Sequence, residues 1–293
     1  MLAAGILGIS PSLLRRVYTS GAGAVVSKTI GLKPRSGNKN PVVVGTGCGL
    51  INAMGLPNPG IDKFIEELYD LDDIDLPILI SIFGNDKEEF KMIAKKISDA
   101  DIQVIKGIEL NISCPHSKVS QIGQDPELTK DITKAVRNST DLPILVKLTP
   151  NVTNISEIAK AAEKGGADAI TAINTVRAMA IDIETGYPIL SNIYGGLSGP
   201  AIRPIAIRAV FDIYKTVNIP IIGVGGIQKW QDIIEFFYAG ASAVQVGWGI
   251  VQHDLEFFQL ILKDLISFLE KKKIINIGDL TGKTHSYLDV NRS

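Results

Sequence analysis

The feature that most limits what this chain can become is a regular alternation. Short apolar runs rich in β-branched residues are separated by amphipathic stretches of helical period along most of the sequence. Parallel strands need a crossover between them, most often a helix, so the pattern calls for a parallel sheet covered by helices. Strands are expected at residues 2–4, 24–27, 77–82, 107–110, 144–146, 169–173, 220–224 and 243–246. Helices fit between them, for example at 86–100, 154–164, 200–216 and 228–239. Eight such units exceed the five or six usual in a doubly wound sheet and favour an α/β fold closed into a (β/α)8 TIM barrel. The 293 residues then make one domain, 1–293, with a peripheral tail at 274–293. Two stretches exceed a minimal barrel: 33–60, rich in Gly, Pro and Asn, and 179–199. They are expected to form extra loops or β-insertions over the C-terminal face.

Charge and cysteine content narrow the function classes. Thirty basic and 31 acidic residues, spread along the chain, leave a formal net charge of −1 and no footprint for nucleic acid or an anionic membrane. A small-molecule substrate is expected. No apolar run approaches the roughly 20 residues that span a bilayer, and no basic segment after Met1 opens a signal peptide. A cytoplasmic location follows as an expectation. Cys48 and Cys114 are the only cysteines, too few for an all-cysteine iron–sulfur cluster, so any cluster belongs to a partner. No metal site is expected.

In such a barrel the active site lies where the strands end. The ends are chemically selective here: Lys28-Thr29, Asn111, Lys147 and Asn174-Thr175 follow four of the apolar runs. Each alone is more often a solvated loop residue or a turn former, but convergence of all four on one rim points to a site. The last two strands end in Gly223-Val224-Gly225-Gly226 and Gly247-Trp248-Gly249. Glycine clusters there form backbone N–H nests that hold phosphate, or else serve only as tight turns. A phosphate nest with two lysines and several amides suggests flavin mononucleotide (FMN) across the barrel mouth. A lysine near its N1–C2 edge stabilises the charge that develops on reduction, and Lys147 is the candidate.

Cys114 follows the Asn111 strand end directly, and Pro115 stiffens its backbone. A thiol there is able to accept a proton once its pKa nears ambient pH. His116 is placed to bond substrate or tune the thiol, or is simply a satisfied loop histidine. Cys48 reads as an inert small hydrophobe.

Several blocks resemble the dihydroorotate dehydrogenase family, class 1 and especially the class 1B catalytic subunit. They are Ser27-Lys28-Thr29, Asn52 through Gly60, Asn111-Ile112-Ser113-Cys114-Pro115, Val146-Lys147-Leu148, Ile173-Asn174-Thr175, Gly195 through Pro200, and Gly225-Gly226. The resemblance implies oxidation of dihydroorotate to orotate in pyrimidine biosynthesis, with Cys114 as base. It implies that Lys28, Asn52, Met54, Gly55, Leu56, Asn111, Asn174 and Thr175 hold the substrate. It implies FMN against Ala4, Lys28, Thr29, Asn111, Lys147, Ile173, Gly199, Gly225, Gly226, Gly247 and Trp248. The asparagines match the amide-like edges of orotate, while Lys28 and the N–H groups of Met54 to Leu56 suit its carboxylate. A homodimeric core and an iron–sulfur flavoprotein electron-transfer subunit are further implications.

Departures from the family pattern are specific. His116 stands where that family has asparagine, and Cys-Pro-His resembles the flavin domain of dihydropyrimidine dehydrogenases instead. Trp248 replaces a small hydroxyl residue, which leaves phosphate to backbone N–H groups, and Ala4 replaces a serine. The family's N-terminal hairpin has no counterpart before Leu2, so a longer chain is expected. Two other readings are a dihydropyrimidine dehydrogenase-like flavin oxidoreductase and a non-catalytic barrel subunit. The first is separated by which substrate bleaches the flavin, the second by a protein that takes up no FMN.

Overall fold

The computed structural model describes residues 1–71, 75–113 and 122–287. Its strands in chain order are β1 (Val25–Val26), β2 (Val43–Thr46), β3 (Gly49–Asn52), β4 (Ile78–Ile82), β5 (Ile105–Asn111), β6 (Ile144–Leu148), β7 (Ala169–Ala172), β8 (Val176–Ala178), β9 (Gly195–Ser198), β10 (Ile221–Val224) and β11 (Ala243–Gln245). The helices are α1 (Pro11–Thr19), α2 (Ile61–Leu68), α3 (Lys87–Asp99), α4 (Pro126–Arg137), α5 (Ile155–Lys164), α6 (Arg203–Tyr214), α7 (Trp230–Ala239), α8 (Trp248–His253) and α9 (Phe257–Lys271). No helix among the described residues is long and apolar enough to cross a membrane.

A parallel sheet runs in the order β1-β4-β5-β6-β7-β10-β11. Its two ends meet across Leu2, which bridges Val25 on one side and Val246 on the other, both in parallel. Leu2 N donates to Ala24 O at 3.0 Å and Ala3 N to Val246 O at 2.9 Å, while Val26 N donates to Leu2 O at 3.3 Å. The expected first strand thus shrinks to one bridging residue, and that residue closes the barrel.

Strand side chains alternate in direction, which sorts them into two environments. The outward set, among them Ile78, Ile80, Ile82, Ile108, Leu110, Val146 and Ile170, packs under Phe90, Ile93 and Ile97 of α3, Ile132 and Val136 of α4, and Ile158 of α5. The inward set begins as a small apolar cluster of Val26, Leu79, Leu145, Ala169 and Ile222 and becomes polar further along the same strands. Helix starts coincide with capping side chains. Asp86 accepts from Glu89 N at 2.9 Å, Asp125 from Glu127 N at 2.8 Å and Asn154 from Ser156 N at 3.1 Å. Two expected helices start late. The 200–216 stretch opens as a 3-10 turn, Pro200–Ile202, before α6, and the 228–239 stretch starts at Trp230 because Asp232 accepts from Gln228 N and Lys229 N.

The two long insertions meet as a second, antiparallel sheet in the order β2-β3-β9-β8. Asn52 pairs with Gly196 and Leu50 with Ser198, and Ile51, Ala53 and Leu190 form its own buried cluster. Residues 274–287 pack against the outside of the barrel and are pinned there. Leu280 is buried, Gly282 N donates to Phe237 O at 2.9 Å, and the His285 ring stacks on Phe211 with centroids 4.1 Å apart.

Leu2 is fully buried at the seam, so Leu2→Ala leaves a void that its neighbours cannot fill without moving. We expect a loss of about 2–5 kcal/mol in denaturant unfolding, the usual range for such truncations. A stability equal to the parent's would show that the seam does not depend on this side chain.

Candidate active site

The strand ends and the inserted sheet enclose a cavity of about 500 Å³, within the range of small-molecule sites. Around its rim stand Ala4 after the Leu2 bridge, Lys28 and Thr29 after β1, Asn111 at the end of β5, Ile173, Asn174 and Thr175 after β7, Gly225 and Gly226 after β10, and Gly247 and Trp248 after β11. Asn52, Met54, Gly55, Leu56 and Gly199 come from the inserted sheet and its loops. Every site residue expected from sequence and present among the described residues lines this one cavity. Cys114 and His116 lie outside the described residues.

Two buried lysines differ in how their charge is met. Lys147 lies inside β6, one residue short of its end; its Nζ stands 3.5 Å from Glu109 Oε1 and 3.4 Å from Gln245 Oε1. Lys28 is buried too, and among the described residues desolvation is what acts on it, lowering its pKa below the ordinary lysine value. An enclosed ammonium without an acidic partner is costly unless an anion joins it. Lys28 and the cavity beside it therefore favour an anionic ligand.

Beside the lysines lies a polar cluster. Asn111 Nδ2 donates to Thr29 Oγ1 at 3.2 Å, Asn174 Nδ2 donates to Asn111 Oδ1 at 3.2 Å, and Ser113 Oγ donates to the same oxygen at 2.8 Å. Asn174 Nδ2 also reaches Ser113 Oγ. Thr29 in turn meets Ser81 Oγ at 3.0 Å. Held by one another, these groups keep fixed rotamers, which suits recognition of a planar ligand with alternating donors and acceptors.

Backbone amides supply the third element. Gly55 and Leu56 both have positive φ, 74° and 56°, and a Cβ at Gly55 would stand 2.6 Å from Asn38 N, so only glycine fits. Gly226 is similar, with φ 67° and a would-be Cβ 2.6 Å from Gly199 O. Among the described residues, the N–H groups of Met54, Gly55, Leu56, Gly225, Gly226 and Gly247 have no backbone carbonyl partner. Consecutive free amides of this kind make anion-binding concavities. One such group lies in the roof loop and another where β10 and β11 end.

Among the groups that escaped the sequence reading, three hold the site's polar side chains in place. Ser113 bonds Asn111 and Asn174, while Glu109 and Gln245 anchor Lys147 from below. The signal for Glu109 was present, a lone carboxylate within the apolar run Gly107-Ile108-Glu109-Leu110. The Trp248 side chain makes no polar contact among the described residues: its Nε1 is buried without a partner there, and its ring lies against Gly199.

Comparison with known proteins identifies the family. The family model described as "Dihydroorotate dehydrogenase" matches residues 1–269. The "Dihydroorotate dehydrogenase B (NAD(+)), catalytic subunit" of Pyrococcus horikoshii is 48% identical over 284 residues, covering 96% of this chain and 92% of that protein. The protein of the same name from Methanocaldococcus jannaschii is 48% identical over 290 residues, covering 97% and 93%. Among solved structures, the crystal structure of DHODH in complex with ferulenol from Eimeria tenella superposes with a TM-score of 0.82 at 22% identity, over 97% of this chain and 84% of that one, a likeness of fold. With the family model matching residues 1–269 and relatives 48% identical over nearly the whole length, the chain belongs to the dihydroorotate dehydrogenase family.

Proposed function

We propose that this chain oxidises dihydroorotate to orotate in pyrimidine biosynthesis, with FMN in the barrel mouth and Cys114 as base. The observation that carries the reading is Lys28, a buried ammonium with no acidic partner among the described residues, at the edge of a cavity lined by asparagines. A planar ring with amide-like edges and one carboxylate meets both demands. Asn52, Asn111, Asn174 and Thr175 face its edges, while Lys28 and the free amides of Met54, Gly55 and Leu56 take its carboxylate. His116 joins the substrate contacts in this reading.

The donor set also fits FMN. The Gly225-Gly226 and Gly247-Trp248 amides suit its phosphate, Lys147 suits its N1–C2 edge, and Ala4, Thr29, Ile173 and Gly199 complete the walls. When bound, FMN would supply a hydride acceptor, and the protein's own part would be to remove the accompanying proton. Cys114 takes that proton, coming next in sequence after Ser113, which lines the cavity. The chain's two cysteines supply no cluster ligand set, and its relatives are named as catalytic subunits of an NAD(+) enzyme. Electrons accordingly pass to a separate iron–sulfur flavoprotein subunit bound to a homodimeric core.

Lys28→Met is expected to weaken orotate binding about 10- to 100-fold, the usual worth of a charged hydrogen bond. Burial lowers the Lys28 pKa, so in the parent the affinity falls as pH rises through that lowered value and the ammonium is lost; in the variant this pH step disappears. Titration of orotate against flavin absorbance across alkaline pH reads both effects, and an unchanged affinity removes Lys28 from the site.

The purified protein is expected to hold about one FMN per chain, with Lys147→Ala slowing flavin reduction more than it weakens FMN retention. Stopped-flow reduction at the parental rate would dismiss that role.

Cys114→Ser is expected to bind orotate normally yet slow reduction by roughly 10²- to 10⁴-fold, the span of general base catalysis. His116→Asn separates the two candidate bases. If it abolishes reduction while Cys114→Ser keeps the parental rate and pH profile, the cysteine is not the base.

A further inference from the structure

Two residues before Asn111, on the same face of β5, the barrel encloses a carboxylate. Glu109 is fully buried and does not line the cavity, whereas Lys147 and Gln245 do. Gln245 Nε2 donates to Glu109 Oε2 at 2.7 Å and Thr171 Oγ1 to the same oxygen at 3.1 Å. Its other oxygen has no hydrogen-bond partner among the described residues and faces Lys147 Nζ at 3.5 Å. Gln245 Oε1 lies 3.4 Å from that same Nζ, so the three side chains form a closed ring.

Fold stability alone does not call for these charges. Two residues earlier on the same strands, Leu145 and Ala169 precede Lys147 and Thr171, and there the interior is filled by an apolar cluster. Buried ion pairs are commonly no more stabilising than apolar residues of similar size. A carboxylate kept beneath a cavity-facing lysine therefore acts on what that lysine does.

We propose that Glu109 is a positioning residue for flavin reduction: it fixes the Lys147 ammonium at the cavity floor and offsets part of its charge, so setting how strongly the site favours the anionic reduced flavin. This rests on the reading that FMN occupies the cavity with Lys147 at its N1–C2 edge. The carboxylate limits the attraction that Lys147 exerts on electrons, leaving the reduced flavin able to pass them on. Removing the negative charge while keeping the shape leaves Lys147 unopposed.

The test is the midpoint potential of the bound flavin, with sulfite affinity as a second reading, since sulfite adds to oxidised flavin as an anion. Glu109→Gln is expected to shift the two-electron reduction equilibrium about tenfold toward the reduced form, about 30 mV upward, and to tighten sulfite binding about tenfold. Lys147→Met moves both readings the opposite way, and the double variant, with both charges gone, falls near the parent. Glu109→Asp, which withdraws the carboxylate from Lys147 by one methylene, shifts both readings in the Glu109→Gln direction by less and serves if that variant does not fold. A parent that takes up no FMN overturns both this proposal and the reading beneath it. A flavin-loaded parent whose Glu109 variants keep its potential and sulfite affinity, or shift them downward, overturns this proposal alone.

Discussion

Each barrel strand that carries a functional side chain is hydrogen-bonded on both edges, and at the seam that condition is met through Leu2, paired with Val25 on one side and Val246 on the other. A closed parallel sheet has no free edge, which makes the direction of every side chain a matter of parity along its strand. Odd and even positions cannot exchange roles without a register slip that would turn the apolar set inward and the polar set outward. The placement of Lys147, Glu109 and Asn111 therefore rests on closure as much as on local contacts.

Inside that closed wall the environment changes along the strands. At the floor, Val26, Leu79, Leu145, Ala169 and Ile222 exclude water. Further along come Ser81, buried and bonded to Thr29, and the interlinked Glu109, Lys147, Thr171 and Gln245, also buried. At the mouth, Asn111, Ser113 and Asn174 bond one another with polar groups left over for a ligand. The low dielectric of the floor strengthens the electrostatics of the layer above it. A charge in the middle layer is consequently felt in the cavity more than the same charge would be on the protein surface.

Much of this was legible in sequence because it is local. A strand of five or more residues buried on both faces, such as Ile78–Ile82, reads as a continuous apolar run; the residue that ends the run identifies itself. What stayed hidden depends on distant partners or on weak patterns. The strand Val43–Thr46 is half exposed and its short valine run stops at Gly45, and Gly49–Asn52 finds its partner at Gly195–Ser198, far along the chain. Glu109 draws its partners from β6, β7 and β11. The sequence shows such a carboxylate as an anomaly within an apolar run; the partners that give it a purpose appear only when the barrel closes.

The inserted sheet has a consequence for how such a barrel diversifies. The loop that offers Met54, Gly55 and Leu56 hangs from β3, and the opposite edge of β3 is zipped to β9, which leads directly to Gly199. Substrate end and cofactor end are thus panels of one roof, although their codons lie far apart. A crossover between two family members that replaced one panel alone would join mismatched edges, with backbone donors and acceptors out of register. The two insertions are inherited to advantage as a linked pair, and grafting a new specificity onto this scaffold means transplanting both.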